Sequence, residues 1–364
     1  MQIAVSQILF DAYCVCMKTL SVTLICKNEQ DNLKRLLPTL DFADEIIVVD
    51  TGSDDGTVET AQDYGCIVGY FKWRDDFAAA RNYAINLASG DYVMWLDADD
   101  AVSKSLAREI ERWKQDGSDT ADTYYIKYRM GTNSDFWFWR ERILKRCSKC
   151  RFKGFIHEAI VPFGQSKYLN AEIIHTSSVS HEKRNLEIYR KAAESGRRFF
   201  LRDKYYFART LTENGLFAEA EHLLNDFRIN PRAYAPDRAD ACKLLARQYL
   251  SDSKSKQALN VLIYGTKILP PDSETCCLIG DCYFADGKYL YAAQWYEYAN
   301  ISKIQYGFVN DYYKSFYPDI QLSVCYYRLG NYGKAQFYHR VSKAINPKHS
   351  SVIANDKFFQ NKKK

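Results

Sequence analysis

The sequence predicts an α/β domain with a Rossmann-like mixed sheet, followed by an all-α domain of helical repeats. Apolar strands alternate with amphipathic helices in the first half, a rhythm that is typical of a parallel sheet covered on both faces. Helix-turn-helix segments follow one another in the second half. The length of 364 residues favours two or more domains, because one hydrophobic core rarely serves a chain of this size.

The first half contains four steps of strand and helix. Apolar runs predict strands at residues 20–26, 45–50, 66–73 and 91–96. Asp76 and Ser103 are the predicted N-caps of the helices that follow the third and fourth strands, and Pro38 ends the first helix. Without intervening helices, four further strand-like segments follow at residues 124–130, 142–147, 158–163 and 171–175. This change predicts that antiparallel strands complete the sheet.

The second half contains four similar segments, which align on Ala220, Ala258, Ala292 and Ala335. Their offsets of 38, 34 and 43 residues bracket the ~34-residue period of tetratricopeptide repeats. The longest offset contains an insertion at residues 301–318 that is rich in tyrosine and phenylalanine. Stacked helix pairs bury a continuous core, so we interpret these aromatic residues as packing, with contact to a partner as the alternative.

Composition limits the class of protein. The net charge of +5 is too mild an excess to predict a nucleic-acid partner. The 11 cysteines are odd in number and lie in apolar runs, which favours reduced core thiols and a cytoplasmic protein over a disulfide framework. No transmembrane segment is predicted, since the apolar residues 1–16 are too short to span a bilayer and lack the basic start of a signal peptide.

These patterns divide the chain into four segments. Residues 1–16 are a predicted extension that does not belong to the fold, and residues 17–200 are the α/β domain. Residues 201–350 are the repeats, and residues 351–364 are a C-terminal tail.

The strongest candidate for chemistry is the acidic pair Asp97 and Asp99, which follows the fourth predicted strand. Two carboxylates at this spacing can share Mg²⁺ or Mn²⁺, and the same ion can bind diphosphate oxygens. A solvated turn that caps the next helix is the alternative. A calcium loop is excluded, because Val102 and Arg108 stand where that loop requires Gly and Glu.

Two further residues are placed to meet this acidic pair. Asp50 ends the second predicted strand, and the carboxyl ends of parallel strands share one edge of a sheet. Its carboxylate can accept a hydrogen bond from a base or ribose, or it caps the following turn. Arg81 lies in an apolar helix, where its guanidinium can face phosphate or pair with an acidic strand end.

Together, four motifs resemble the nucleotide-sugar-binding half of family 2 glycosyltransferases. They are CKNE at 26–29, VVDTGSDDGT at 48–57, DDFAAARNYA at 75–84 and LDADD at 96–100. The resemblance implies the nucleotide-diphospho-sugar transferase fold. It assigns nucleotide binding to Cys26, Lys27, Asn28, Asp50, Arg81 and Asp97. It also assigns a metal to Asp97 and Asp99, and it implies that Asp50 holds the uracil or ribose.

A second resemblance extends through the rest of the chain. FKGFIHEAI at 152–160, IIHTS at 173–177 and RNLEIY at 184–189, followed by repeats, resemble bacterial glycosyltransferases with a tetratricopeptide tail. That group includes enzymes that glycosylate cysteine in peptides. Those peptide-modifying enzymes often carry Gly-Tyr shortly after the matching histidine, whereas this chain has Ser177 and Ser178, which weakens the peptide interpretation.

Inverting sugar transfer needs a carboxylate or imidazole that takes the acceptor proton. We predict Glu158 as this base, the alternative being a surface glutamate beside a strand. His175 is predicted to contact the metal or the diphosphate, and a packed, hydrogen-bonded histidine is the alternative. His181 is a weaker candidate than His175 for this contact.

Nearby basic and cysteine residues carry weaker signals. Arg140, Arg142 and Lys145 can steer a diphosphate or form the polar face of a strand. Cys147 and Cys150 are a single pair, which is more typical of incidental thiols than of a zinc site.

We therefore predict a cytoplasmic, metal-dependent glycosyltransferase that inverts the sugar carbon. Its donor is a UDP-sugar, and its acceptor is a glycan, a surface polymer, a lipid-linked sugar or a peptide. A nucleotidyltransferase is disfavoured, because residues 26–29 lack the glycine-rich basic loop expected there. The non-enzymatic alternative is an adaptor that carries a silent nucleotide-binding domain. Helical repeats also support a homodimer.

Overall fold

The computed structural model describes residues 17–176 and 182–361. It divides into two compact units, residues 17–134 with 139–176, and residues 135–138 with 182–361. The predicted extension at residues 1–16, His181 and the last three lysines lie outside the described residues.

The first unit is a mixed sheet with helices. Its strands are β1 Leu20–Cys26, β2 Glu45–Asp50, β3 Ile67–Tyr70, β4 Tyr92–Trp95, β5 Asp100–Val102, β6 Thr123–Met130, β7 Phe136–Lys145, β8 Phe152–Lys153, β9 Ala159–Ile160 and β10 Ser166–His175. Its helices are α1 Gln30–Leu36, α2 Thr57–Asp63, α3 Phe77–Leu87 and α4 Lys104–Gln115, with a 3₁₀ turn at Leu37–Thr39 after α1. The main sheet has the order β3-β2-β1-β4-β7-β6-β10-β5, and β8 pairs with β9 separately.

The predicted parallel core and antiparallel completion of the sheet are both present. β1 pairs in parallel with β2 and β4, whereas β7 is antiparallel to β4 and β5 is antiparallel to β10. Residues on β1 and β2 such as Leu24 and Val49 are fully buried, as the continuous apolar runs indicated. The α/β class and the mixed sheet are therefore confirmed.

Several strand bounds differ from the sequence predictions. β7 begins at Phe136, six residues before the predicted start, because its aromatic residues belong to the strand. β9 is only Ala159–Ile160, since residues 161–165 turn instead of pairing. β5 was not predicted, because a strand of three residues depends on a partner that lies far along the chain.

The two predicted helix caps are confirmed. The Asp76 carboxylate accepts a hydrogen bond from the backbone N–H of Ala79 at 2.9 Å at the start of α3. The Ser103 hydroxyl accepts one from Leu106 at 3.2 Å at the start of α4. Each cap satisfies a donor that the helix itself leaves free, and the first one fixes the start of the helix that carries Arg81.

The second unit consists of stacked helix pairs. Its helices are α5 Glu182–Glu194, α6 Leu201–Glu213, α7 Phe217–Ile229, α8 Ala235–Ser251, α9 Ser255–Thr266, α10 Ser273–Ala285, α11 Tyr289–Ile301, α12 Tyr312–Ser315, α13 Tyr317–Arg328, α14 Tyr332–Ile345 and α15 Ser350–Asn361. The anchors Ala220, Ala258, Ala292 and Ala335 are all 0% exposed. Small residues at these positions let neighbouring helices approach closely, so the predicted repeats are confirmed.

The insertion and the chain end are more structured than predicted. The insertion contains the two-residue strand β11, Val309–Asn310, which pairs with Phe136 and Trp137, and these two residues belong to the second unit as well. Trp137 donates a hydrogen bond to Asp311 at 2.8 Å. Tyr313 and Tyr317 pack against the repeat core, as the packing interpretation expects. Residues 350–361 form helix α15 instead of the predicted tail, because buried Val352 anchors them.

Among the described residues, 17–176 and 182–361, no helix is both long enough and apolar enough to span a membrane.

Candidate active site

The candidate site lies at the edge of the sheet where β1, β2 and β4 end. These strands are parallel, and Cys26 pairs in register with Asp50. Burial raises the pKa of the Cys26 thiol, and the nearby carboxylates of Glu29, Asp50 and Asp97 raise it further. The carboxylates that raise this pKa lie at or just after the ends of β1, β2 and β4, so the chain segments at all three strand ends approach Cys26.

The loops after β1 and β2 are joined by hydrogen bonds. Asp50 is 6% exposed, and its carboxylate accepts from the backbone N–H groups of Gly52 at 3.0 Å and Ser53 at 3.1 Å. Asn28 has a φ of 58° and donates its backbone N–H to the Ser53 hydroxyl at 2.9 Å. Asp50 thus caps its own turn, and Lys27 is exposed beside it. Contact of these residues with a nucleotide remains a prediction.

Arg81 links two carboxylates that the sequence analysis assigned to different roles. Its Nη2 atom lies 2.5 Å from Asp97 Oδ1, and its Nε atom lies 2.6 Å from Glu158 Oε1. The side chains of Arg81 and Glu158 are each 8% exposed. Burial would lower the pKa of Arg81, but the two carboxylates outweigh burial and raise it, so the guanidinium stays charged.

Asp97 is ionised because two cations surround it. Burial alone would raise the pKa of its carboxyl, but Arg81 and Arg142 hold that pKa well below its ordinary value. Its backbone N–H donates to Asp100 Oδ2 at 3.0 Å, which closes the acidic turn. Arg81 was predicted either to face phosphate or to pair with an acidic strand end. The structure contains the ion pair, with Asp97.

A second cluster joins Asp99, Asp100 and His175. In the antiparallel register of β5 and β10, His175 is the partner of Asp100. The His175 Nδ1 atom lies 3.2 Å from Asp99 Oδ1 and 3.6 Å from Asp100 Oδ1. Burial would lower the pKa of His175, but the two carboxylates raise it to about 10, so the imidazole carries a proton at neutral pH.

This second cluster has the composition of a metal site. One ligand atom from each of Asp99, Asp100 and His175 lies within 4.8 Å of the others. Two carboxylates and an imidazole are suitable ligands for Mg²⁺ or Mn²⁺. The Nδ1 atom of His175 already faces both carboxylates, so it could bind a cation together with them once it loses its proton.

The predicted metal ligands are therefore divided between the two clusters. Asp99 and His175 lie together as predicted, but the carboxylate beside them is that of Asp100, whereas the Asp97 carboxylate pairs with Arg81. The reason is the short strand β5, which turns Asp100 toward β10. The metal assignment itself remains a prediction.

Arg142 and Tyr128 connect the two clusters. Arg142 is fully buried, and its guanidinium lies 3.3 Å from Asp100 Oδ2 and 4.0 Å from Asp97 Oδ2. The guanidinium stacks between the rings of Trp95 and Tyr128, at 3.8 Å and 4.2 Å from their centroids. The Tyr128 hydroxyl donates to Asp100 at 2.8 Å. One buried cation thus balances two acidic side chains of the turn.

The other predicted basic residues have different positions. Arg140 donates from Nη2 to the Glu158 backbone carbonyl at 2.8 Å, so it supports the chain at the predicted base. Lys145 pairs with Tyr92, at the start of β4, whereas the site lies where β4 ends. Steering of a diphosphate by Lys145 is therefore wrong, because the strand register directs it away from the acidic turn.

Two acidic residues and one arginine of the site were not among the predicted catalytic, nucleotide-binding or metal-binding residues. Asp100 and Glu29 lie within the quoted LDADD and CKNE motifs, so the motifs themselves were the signal. Burial raises the pKa of Glu29, and the nearby carboxylates of Asp99, Asp55 and Asp97 raise it further, while a hydrogen bond from Asn32 opposes the shift. Arg142 was predicted either to steer a diphosphate or to lie on the polar face of a strand, and nothing in the sequence indicates that it is buried.

A mixed sheet whose parallel strands end at an acidic turn, beside a cluster of cations, has the architecture of a nucleotide-diphospho-sugar transferase. The family model "Glycosyl transferase family 2" matches residues 21–199. These residues form a family 2 glycosyltransferase domain, as the motifs predicted, and the helical repeats follow it.

Curated relatives match parts of this chain. A TPR repeat-containing protein of Synechococcus elongatus is 44% identical over 87 residues, covering 24% of this chain and 22% of that protein. The SPbeta prophage-derived glycosyltransferase SunS of Bacillus subtilis is 30% identical over 162 residues, covering 42% of this chain and 37% of that protein. An uncharacterised glycosyltransferase of Rickettsia bellii is 32% identical over 135 residues, covering 36% of this chain and 45% of that protein. The chain thus spans less than half the length of each of these relatives.

Two solved structures align with parts of this chain. TarS 1–349 of S. aureus aligns with a TM-score of 0.38 and 18% identity, covering 79% of this chain and 94% of that one. Glucosyl-3-phosphoglycerate synthase of Mycobacterium tuberculosis, in complex with Mn²⁺, UDP and glucosyl-3-phosphoglycerate, aligns with a TM-score of 0.25 and 25% identity, covering 31% and 44%.

Proposed function

We propose that this protein is a metal-dependent glycosyltransferase that transfers a sugar from a UDP-sugar to a glycan or surface-polymer acceptor with inversion. The observation that carries the proposal is the pair of adjoining clusters, Arg81 with Asp97 and Glu158, and Asp99 with Asp100 and His175. They combine a candidate cation site, a fixed guanidinium and a candidate base at one sheet edge. A peptide acceptor is less favoured, because the chain has Ser177 and Ser178 where similar peptide-modifying enzymes often carry Gly-Tyr.

The nucleotide half of the donor is assigned to the loops after β1 and β2. Asn28 and Asp50 are held by hydrogen bonds across these loops, so they offer a preformed edge to a base or ribose. Lys27 is exposed beside them and can approach a phosphate. Cys26 is buried beneath the edge and shapes its floor.

The diphosphate half is assigned to the acidic turn. Asp99, Asp100 and His175 would hold Mg²⁺ or Mn²⁺, and Asp97 would face the donor from the same turn. When bound, this cation supplies positive charge that stabilises the departing diphosphate. Arg81 supplies a second positive charge from the protein itself, and its ion pairs fix that charge before the donor arrives.

Glu158 is the proposed base. The hydrogen bond from Arg81 engages its Oε1 atom, which leaves Oε2 to accept a proton from the acceptor hydroxyl. As that O–H bond breaks, the acceptor oxygen forms a bond to the anomeric carbon from the face opposite the leaving group. The bond between that carbon and the diphosphate oxygen breaks, and the nucleoside diphosphate leaves with the electron pair. The sugar carbon is inverted.

A donor screen tests the proposal. The full chain is titrated with UDP-, GDP-, ADP- and TDP-sugars in the presence of Mn²⁺, and then with EDTA, while its thermal unfolding is followed. We expect one UDP-sugar to raise the melting temperature and EDTA to remove the rise. If no sugar nucleotide raises it, the nucleotide-binding domain is silent and the adaptor alternative replaces this proposal.

The base assignment is tested with Glu158→Gln. The amide keeps the oxygen that accepts from Arg81 but cannot take a proton, so we expect UDP release from the UDP-sugar to fall by about 100-fold or more, with donor binding retained. Glu109→Gln on α4 is the control and should leave the rate unchanged. A rate for Glu158→Gln within threefold of the wild-type rate, about 0.6 kcal/mol, would assign the base to another residue.

A further inference from the structure

The second unit contains a cleft that lies outside the site described above. It has a volume of about 530 Å³ and is lined by Thr266, Pro271, Gln294, Trp295 and Tyr298. Gln294, Trp295 and Tyr298 come from consecutive turns of α11, and Thr266 is the last residue of α9. This volume lies in the range of about 300–1,000 Å³ that is typical of ligand sites.

The lining is aromatic and carries no charge at neutral pH. The rings of Trp295 and Tyr298 are 6.2 Å apart and nearly perpendicular, at 87°. A phosphate or nucleotide would leave its charge unpaired in such a cleft, and the cost of burying an unpaired charge is high. The lining therefore favours a neutral ligand with an apolar face.

The cleft also presents hydrogen-bonding groups at its rim. Gln294 is exposed, and its amide offers both donors and an acceptor. The Thr266 hydroxyl donates to the Ile263 carbonyl at 2.8 Å, so its oxygen still accepts a hydrogen bond from a ligand. Tyr298 is 47% exposed, so its side chain is accessible to a ligand. A ligand with several hydroxyl groups satisfies this arrangement, whereas a purely apolar peptide does not.

The walls of the cleft are fixed by the repeat core. On the opposite face of α11, Ala292 and Tyr296 are 0% exposed and anchor the helix. The Pro271 carbonyl accepts a hydrogen bond from the Ser302 hydroxyl at 3.3 Å, which ties the loop before α10 to the end of α11. A preformed cleft loses little conformational entropy when a ligand binds.

We infer that this cleft binds a neutral oligosaccharide segment of the acceptor. A pyranose ring has an apolar face of C–H groups that can pack on Trp295, and hydroxyl groups at its edge that can pair with Gln294 and Thr266. The inference rests on the proposed function in one respect, namely that the acceptor is a glycan.

Calorimetric titration of the full chain tests the inference. The probes are cellohexaose, maltohexaose and chitohexaose, each up to about 10 mM, a range that detects dissociation constants near 1 mM. We expect one probe to bind and Trp295→Ala to weaken that binding at least tenfold. Tyr291→Ala is the matched control, because Tyr291 lies on the same helix, is 55% exposed and does not line the cleft. Circular dichroism of both variants establishes that the repeats are folded.

Three outcomes would overturn the inference. They are the absence of binding by all three probes, binding that Trp295→Ala leaves unchanged, and self-association of the wild-type chain that Trp295→Ala abolishes without oligosaccharide binding. The last outcome would assign the cleft to a second copy of the chain. Donor binding with Mn²⁺ is measured in parallel, because its loss would contradict the proposed function while oligosaccharide binding tests the cleft alone.

Discussion

Arg142 determines how several acidic residues coexist in the interior of the first unit. Asp100 has a fully buried side chain, and Arg142 is the cation that contacts its carboxylate at 3.3 Å. The same guanidinium donates to the Trp95 carbonyl at 3.0 Å, so it also fixes the end of β4. A buried carboxylate without this counter-charge is costly, which makes Arg142 important to the shape of the acidic turn.

Arg142→Met removes this charge but keeps an apolar side chain of similar length. We expect the free energy of unfolding to fall by about 3–5 kcal/mol, because Asp100 stays buried but loses its nearer cation and keeps only His175, at 3.6 Å. Urea unfolding followed by tryptophan fluorescence measures the change. Arg112→Met on α4, where the guanidinium is 76% exposed, should have little effect. A similar small loss for Arg142→Met would mean that Tyr128 and His175 together compensate Asp100.

Helix α10 is held to its neighbours by a buried carboxyl group. Asp281 accepts hydrogen bonds from Tyr296 on α11 at 2.6 Å and from Tyr317 on α13 at 2.8 Å. Burial raises the pKa of Asp281 to about 6, although these two hydroxyl groups oppose the shift. The close packing of α10 and α11 is also evident at Gly280, where a Cβ atom would lie 2.7 Å from the Tyr296 ring.

The raised pKa predicts that this helix contact weakens as the pH rises. The folded protein holds the Asp281 proton more tightly than the unfolded chain does. The protonated carboxyl therefore contributes fully to the free energy of unfolding below about pH 4, and this contribution is lost by about pH 6. In Asp281→Asn the amide oxygen still accepts both hydrogen bonds without ionising. We expect the stability of wild type relative to this variant to fall by about 2–3 kcal/mol between pH 4 and pH 7.

Urea unfolding of both proteins across this range, followed by circular dichroism, measures the difference. Asp286→Asn is the control at the end of the same helix, because hydrogen bonds from Ser255 and Lys288 lower the pKa of Asp286. The contribution of the Asp286 carboxylate to stability is lost only at pH values below the range from pH 4 to pH 7. A constant difference between wild type and Asp281→Asn from pH 4 to pH 7 would contradict the prediction.

At the scale of the whole molecule, the candidate cation site and the repeats belong to different compact units. The site depends on strand pairing between β5 and β10, whereas the repeats depend on helix packing around small alanines such as Ala258. Each unit has its own hydrophobic core. A change confined to the acidic turn should therefore alter ligand binding without loss of helical structure.

Asp99→Ala tests this separation. Asp99 is one of the three grouped metal-ligating side chains, so we expect the rise in melting temperature with Mn²⁺ and UDP to disappear. The circular dichroism signal at 222 nm should stay unchanged, because the repeats contribute most of the helix. Asp63→Ala, an exposed position on α2, is the control and should keep the rise. An equal rise in Asp99→Ala and wild type would exclude Asp99 from the metal site.

The sequence by itself determined those features that depend on residues close in the chain. Apolar runs located β1, β2 and β4, and the carboxylates of Asp50 and Asp97 follow from where these runs end. Side-chain caps at Asp76 and Ser103 were predictable, since a cap bonds to a backbone group three residues away. The repeats were predictable because their small anchors recur at a regular interval.

Only the tertiary structure decided which of these charged residues meet. Asp100 joins Asp99 and His175 because β5 and β10 pair across a long stretch of sequence, and a three-residue strand carries too little local signal to predict that pairing. Arg81 pairs with both Asp97 and Glu158, so one guanidinium balances carboxylates from two distant parts of the chain. Charge interactions depend on distance and burial in space, so sequence position could identify the groups of the site but could not assign their partners.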